Sequence, residues 1–215
     1  MTDSYYELEA CTDSLAQSEV AAKCGVHSIE LCSELELGGL TPSTALIHEV
    51  IKAVSIPVKI MIRLRGGNFS YDQAEVADMM RKIQELKAFN IGGFVIGATR
   101  IDDITKATTL DMSVIYQLCR AAYPVPVTIH KAIDECDDLV AEVQRLQSIS
   151  NIEFILSSGG KQTALDGASK LNEMLEASPK INIIGAGKVT QKNIKLIHQK
   201  ANLKYYHGRQ IIEEM

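Results

Sequence analysis

Short apolar runs of strand character alternate with segments of helical spacing along the whole of this chain, and that alternation is the tightest constraint on its fold. The runs fall at 5–11, 27–33, 57–65, 92–98, 126–132, 152–158, 181–187 and 203–208. Helix starts lie between them. Ser14 with Gln17 and Asp72 with Glu75 have capping-box spacing, and Thr41 before Pro42 places proline at a first helical position. Behind these starts, Leu46, Val50 and Val54, then Val76, Met79, Ile83 and Leu86, then Met112, Ile115, Cys119 and Ala122 recur at steps of three or four, which is the core face of an amphipathic helix. Such alternation implies parallel strands joined by crossover helices, and eight strands at about 25–30 residues per unit match a (β/α)8 TIM barrel. A doubly wound open sheet is the alternative.

With 215 residues and 46% hydrophobic content, the chain can bury one sizeable core, and nothing resembling a linker or repeat divides it, so a single TIM-barrel domain over 1–215 is expected. Only IIEEM follows the segment LKYYHGRQ, so the eighth helix is expected to be short or missing. A partner chain would then cover the apolar surface left open, which predicts a homo-oligomer.

The formal charge of -5 excludes a general nucleic-acid binder. No basic segment leads into an apolar one at the amino terminus, and no run is long enough to span a bilayer, so a cytoplasmic protein without a membrane partner is expected. Five cysteines with no CxxC pair suggest reduced thiols.

Strands covered on both faces should read as nearly continuous apolar runs. Here the same-parity positions Glu7, Glu9 and Cys11, then Glu30 and Cys32, then Arg63 and Arg65, then Thr128 and His130 break that rule, mostly at carboxyl ends, where TIM barrels carry their active sites. The motif E-x-C occurs twice, as Glu9-Ala10-Cys11 and Glu30-Leu31-Cys32, on strands that should neighbour one another at about 4.8 Å. Arginines inside a barrel need anionic partners, and Glu9 and Glu30 are nearest in strand order. Glu9, Glu30, Arg63 and His130 are therefore the catalytic candidates, although a satisfied ion network without chemistry would use the same residues. The glycine-rich turns at Ser158-Gly159 and Gly185-Ala186-Gly187 suit an anion held by backbone N–H groups, reinforced by Arg65 and Lys131. Simple turn geometry is the plainer reading of those glycines. Soft thiolates at Cys11 and Cys32 suit Cu(I), or the two are buried packing residues. Cys24 and Cys119 fall on helix faces, and Cys136 falls in a loop.

The segments LEAC, SIELCSELELGGLTPS, PVKIMIRLRGGNFSY, PVTIHKAID and ILSSGGKQTALDG, in this order, resemble the CutC copper-homeostasis family from about residue 7 to 208. The resemblance implies a TIM barrel, a cytoplasmic location and an association with copper handling, with copper as Cu(I) the cofactor to be tested. Glu9, Cys11, Glu30, Cys32, Arg63, Arg65, His130 and Asp134 match the family's motif positions; Ser158, Gly159, Gly185, Gly187 and His207 lie in segments that match more loosely. Leu64 and Lys131 stand where the family usually has proline and arginine, and most members continue well beyond the eighth strand. Three readings stay open: a Cu(I)-binding protein using Cys11 and Cys32, an enzyme acting on a small anionic or phosphorylated substrate, and a non-catalytic ligand-binding barrel.

Overall fold

A computed structural model describes residues 6–212. Tyr5, where the sequence reading begins the first strand, and Glu213–Met215 of the tail lie outside the described residues. The strands are β1 (Glu7–Thr12), β2 (Ser28–Leu31), β3 (Val58–Met61), β4 (Gly93–Ile96), β5 (Thr99–Ile101), β6 (Thr108–Leu110), β7 (Val127–Ile129), β8 (Ile152–Ser157), β9 (Asn182–Gly185) and β10 (Tyr205–Gly208). Eight of them close into a parallel barrel in the order β1-β2-β3-β4-β7-β8-β9-β10 and back to β1. These eight are the apolar runs read from the sequence, trimmed at their ends. The fold is a (β/α)8 TIM barrel.

Outside it lie α1 (Leu15–Lys23), α2 (Thr44–Ala53), α3 (Gln73–Leu86), α4 (Met112–Ala122), α5 (Leu139–Leu146), α6 (Ala168–Glu176) and α7 (Ile194–Ala201). Among the described residues no helix follows β10. The Asp72–Glu75 box forms in full at the start of α3. At α1, Ser14 accepts from the Gln17 N–H, but the Gln17 side chain accepts from Asp13 N–H and closes no box on Ser14. The α2 start is a correction. Ser43 caps that helix, whereas Thr41 is joined to the end of the β3 segment: its N–H donates to Arg63 O at 2.9 Å, and its hydroxyl accepts from Arg63 N–H at 2.8 Å.

The main apolar core lies between barrel and helices. Ile29, Ile60, Phe94, Ile129, Ile155 and Ile183 on the strands meet Ile47, Met79, Ile83, Ile115, Val143 and Leu171 on the helices. Inside the barrel the apolar groups are small: Cys11, Cys32, Met61 and Val95 with Leu35, and Leu156, Ile184 and Ala186 with Phe154 and Tyr205. Charged side chains take up the rest of the interior.

The connection from β4 to α4 holds an antiparallel hairpin, β5 with β6. Thr99 N–H donates to Phe69 O, so the hairpin anchors the segment that follows β3. Its apolar side chains Ile101 and Ile104 are 66% and 91% exposed.

Gly159 and Gly25 separate two costs of adding a side chain. Both have positive φ, at +68° and +82°, but a Cβ on Gly159 would lie 2.4 Å from Gly167 O, whereas one on Gly25 meets nothing within 4 Å. Gly25→Ala should cost about 1–2 kcal/mol from the left-handed backbone alone. Gly159→Ala should cost clearly more, read as a larger drop in the urea midpoint. Equal drops would refute the close approach.

Candidate functional site

The site grows from the registers of β1, β2, β3 and β10. Glu9 is level with His207 and Ser28, and Cys11 is level with Glu30, which is level with Lys59. These side chains share the barrel interior, and all but the half-buried His207 and Ser28 are buried.

The lower layer is an ion network. Glu9 accepts from Lys59 Nζ at 2.6 Å, His207 Nδ1 at 3.0 Å and Ser28 Oγ at 3.1 Å. Burial pushes the Glu9 carboxyl up, but Lys59 and His207 outweigh it and hold the group at about 2. Burial also disfavours charge on His207, yet Glu30, Cys11 and Glu9 together raise it well above its ordinary value. Its Nε2 lies 3.9 Å from Glu30 Oε1. Glu30 is raised, chiefly by burial and further by Glu9, against the pull of His207 and Lys59. Lys59 also lies 4.0 Å from the centre of the Phe154 ring. The sequence reading missed Lys59 as a partner, although a lysine amid the apolar run PVKIMI was the signal.

Above this layer sit the thiols. Cys11 Sγ is 3.4 Å from Cys32 Sγ and 3.8 Å from Glu30 Oε1. Barrel stagger leaves the two sulfurs side by side. The hydrogen bond with Cys32 and burial raise the Cys11 thiol well above its ordinary value. Gly39, at φ +87°, lies against Cys32, where an added Cβ would sit at ordinary contact distance, 3.4 Å from Sγ.

Arg63 corrects an expectation. It is buried, but its partners are backbone carbonyls rather than Glu9 or Glu30: Nη1 donates to Leu37 O and Gly39 O, and Nη2 donates to Gly67 O. Gly38 leaves space for that guanidinium; a Cβ would come within 2.9 Å of Nη1. Arg65 is a second correction. β3 ends at Met61, so strand parity no longer governs Arg65, and it turns to the outer surface to bind Glu75 and the carbonyls of Gly66, Asn68 and Ser70. It staples the β3–α3 loop and stands apart from the cysteines.

His130 closes the opposite wall. Its Nδ1 accepts from Ala132 N–H at 3.0 Å, and Gly97 makes room for the ring, a Cβ there falling 2.5 Å from Cε1. Burial, followed by the nearby Arg63 charge, pushes His130 down to about 3, so the ring is neutral. Phe69, which the sequence reading also missed, stacks against both Arg63 and His130.

The expected anion loop already holds an anion. Asp134 accepts from Ser158 N–H, Ser158 Oγ, Gly160 N–H and Ser157 Oγ, with Lys131 Nζ 3.6 Å away. Ser158 and Gly160 are thus tied to an internal carboxylate, and Gly159 N–H donates to Ser157 Oγ. Gly185 packs beside Leu203 and Tyr206. Gly187, with Lys131, Lys188, His207 and Arg209, lines a basic cavity of about 600 Å³. Beside it, Cys11, Glu30, Cys32, Arg63, His130 and His207 share a cavity of about 220 Å³. Two groups of possible ligands have ligating atoms within 4.8 Å of one another: Cys11, Glu30 and Cys32, which line this cavity, and Glu9, Glu30 and His207, of which Glu9 lies outside it.

The profile of the CutC family matches residues 6–212. A CutC family protein from Photobacterium profundum is 35% identical over 202 residues, covering 94% of this chain and 80% of that one. The human copper homeostasis protein cutC homolog is 33% identical over 201 residues, covering 93% and 71%. The CutC structure from Streptococcus agalactiae superposes with a TM-score of 0.88 at 27% identity, covering 96% of this chain and all of that one. An oxaloacetate acetylhydrolase superposes at 0.61 with 9% identity, covering 98% and 77%, a likeness of fold alone.

His130 generates a pH prediction. Its folded value of about 3 lies below the ordinary 6.5, so between these the unfolded chain binds the extra proton and stability falls as pH falls. Asparagine can keep the cap on Ala132 N–H without titrating. The stability of the native protein relative to His130→Asn should therefore fall by about 1.4 kcal/mol per pH unit below 6.5, measured by urea unfolding. Parallel curves for the two proteins would contradict a neutral buried ring.

Proposed function

Because this chain belongs to the CutC family, whose profile spans residues 6–212 and whose human relative is named a copper homeostasis protein, we propose that it binds Cu(I) through Cys11 and Cys32. The observation that carries this reading is the pair of buried sulfurs 3.4 Å apart on one wall of a cavity. Thiolates are the soft donors that Cu(I) favours, and Met61 in the same apolar cluster offers a third soft atom. Glu30 and His207, harder donors, lie beside the thiols and receive or hold protons as the charge of the site changes.

We further propose a cytoplasmic, single-domain barrel that works as a homo-oligomer. Five cysteines without a CxxC pair support a reducing compartment. The exposed Ile101 and Ile104 of the β5–β6 hairpin, with Tyr116 and Tyr123 on and after α4, support apolar contact with a second copy.

Cu(I) must displace a proton from the raised Cys11 thiol, so binding should release protons and strengthen as pH rises. An anaerobic Cu(I) titration against a chromophoric chelator should find one tight site per chain. Cys11→Ser and Cys32→Ser should each weaken it by at least about tenfold, or ~1.4 kcal/mol, while Cys24→Ser, at an exposed helix end, should not. Undiminished affinity in the Cys11/Cys32 double variant would remove this reading.

A further inference from the structure

Among the described residues, five buried side-chain nitrogen or oxygen atoms have no hydrogen-bond partner, and three of them belong to residues lining the 220 Å³ cavity: Glu30 Oε2, Arg63 Nε and His130 Nε2. Buried polar groups are rarely left so, because each loses its water without replacement. Three at one cavity point to a bound molecule.

The chemistry of each atom is fixed by its neighbours. His130 Nδ1 already accepts from Ala132 N–H, so the neutral ring carries its proton on Nε2, and that atom is a donor. Arg63 Nε–H is a donor with permanent charge, left over after the two terminal nitrogens take three carbonyls. The two side chains pack on the same Phe69 ring, at 4.7 and 4.8 Å, so the guanidinium and the imidazole are neighbours along the cavity, with the Tyr71 hydroxyl beside the guanidinium. Glu30 Oε2 on β2 is an acceptor, its other oxygen facing Cys11 and His207.

A complementary ligand brings an anionic oxygen to Arg63 and His130, and a hydroxyl hydrogen to Glu30. A phosphate dianion fits poorly, because Glu30 would face its negative charge. The remaining walls, Leu35, Met61, Phe69 and Leu156, are apolar and suit a short carbon chain. At about 30 Å³ per water the cavity has the room of roughly seven waters, the scale of a molecule with six to eight non-hydrogen atoms.

We propose that this cavity is a binding site for a short-chain 2-hydroxycarboxylate, its carboxylate held by Arg63 Nε–H and His130 Nε2–H and its hydroxyl donating to Glu30 Oε2. The site shares its cavity and Glu30 with the copper reading, but the three atoms that define it are not the thiols, so either can be lost without the other.

Calorimetric titration tests this with three probes on the full chain: lactate as both enantiomers, propionate, which lacks the hydroxyl, and methyl lactate, which lacks the charge. At least one enantiomer of lactate should bind at least tenfold more tightly than either analogue. His130→Asn keeps the cap on Ala132 and removes the donor, and should weaken lactate at least tenfold. Glu30→Gln should abolish the preference for lactate over propionate. The Cys11→Ser, Cys32→Ser double variant should lose Cu(I) but keep lactate, so the two readings fail separately. Circular dichroism and the urea midpoint establish that each variant is folded. No saturable binding of lactate to the native protein, or equal binding of lactate and propionate, overturns the proposal.

Discussion

The carboxylate of Glu9, held at once by Lys59, His207 and Ser28, is the contact on which the interior of this barrel depends. A closed eight-strand barrel must fill its centre with side chains, and hydrophobic layers would do so more cheaply than charges. Here the middle layer is ionic, and removing Glu9 would leave Lys59 and His207 without their shared carboxylate. The network also sets what lies above it. His207, charged through its neighbours, approaches Glu30, and Glu30 in turn lies against Cys11. The protonation of the thiol wall is therefore coupled to a layer that no ligand at the mouth needs to touch.

The opposite wall is built by a different principle. Arg63 is clamped by carbonyls from the segments around Leu37 and Gly67, and His130 by one N–H at the start of the 131–135 turn. Each keeps one polar atom unpartnered, and Phe69 holds their planes together. Gly38 and Gly97 stand where a side chain would strike Arg63 and His130, so these glycines clear space as much as they turn the chain. One cavity thus has a soft, neutral side and a cationic, donor-rich side, with Glu30 serving both.

Much of this was legible in the sequence because a barrel interior has a strict parity. Polar residues on alternate positions of buried strands had to face inward, and Glu9, Cys11, Glu30, Cys32 and His130 do so. What the parity could not reach lies beyond strand ends or across the barrel. Arg65 shares parity with Arg63 only while β3 continues, and β3 stops at Met61. The carbonyl partners of Arg63 come from loops, whose positions have no period to read. Asp134 filling the Ser158 loop depends on tertiary approach over 24 residues. The β5–β6 hairpin is three residues per strand, too short for alternation to show, and Thr41 was mistaken for a helix start because Ser43, two residues on, serves as well in sequence.

Two histidines at one cavity are held in opposite states, His207 charged by its carboxylates and His130 neutral with its proton on Nε2. Nitrogen-15 NMR of the histidine rings reads this directly. At neutral pH both ring nitrogens of His207 should be protonated, and His130 should carry a single proton on Nε2 that persists well below pH 6.5. A neutral His207, or a His130 that gains its second proton near the ordinary 6.5, would contradict it.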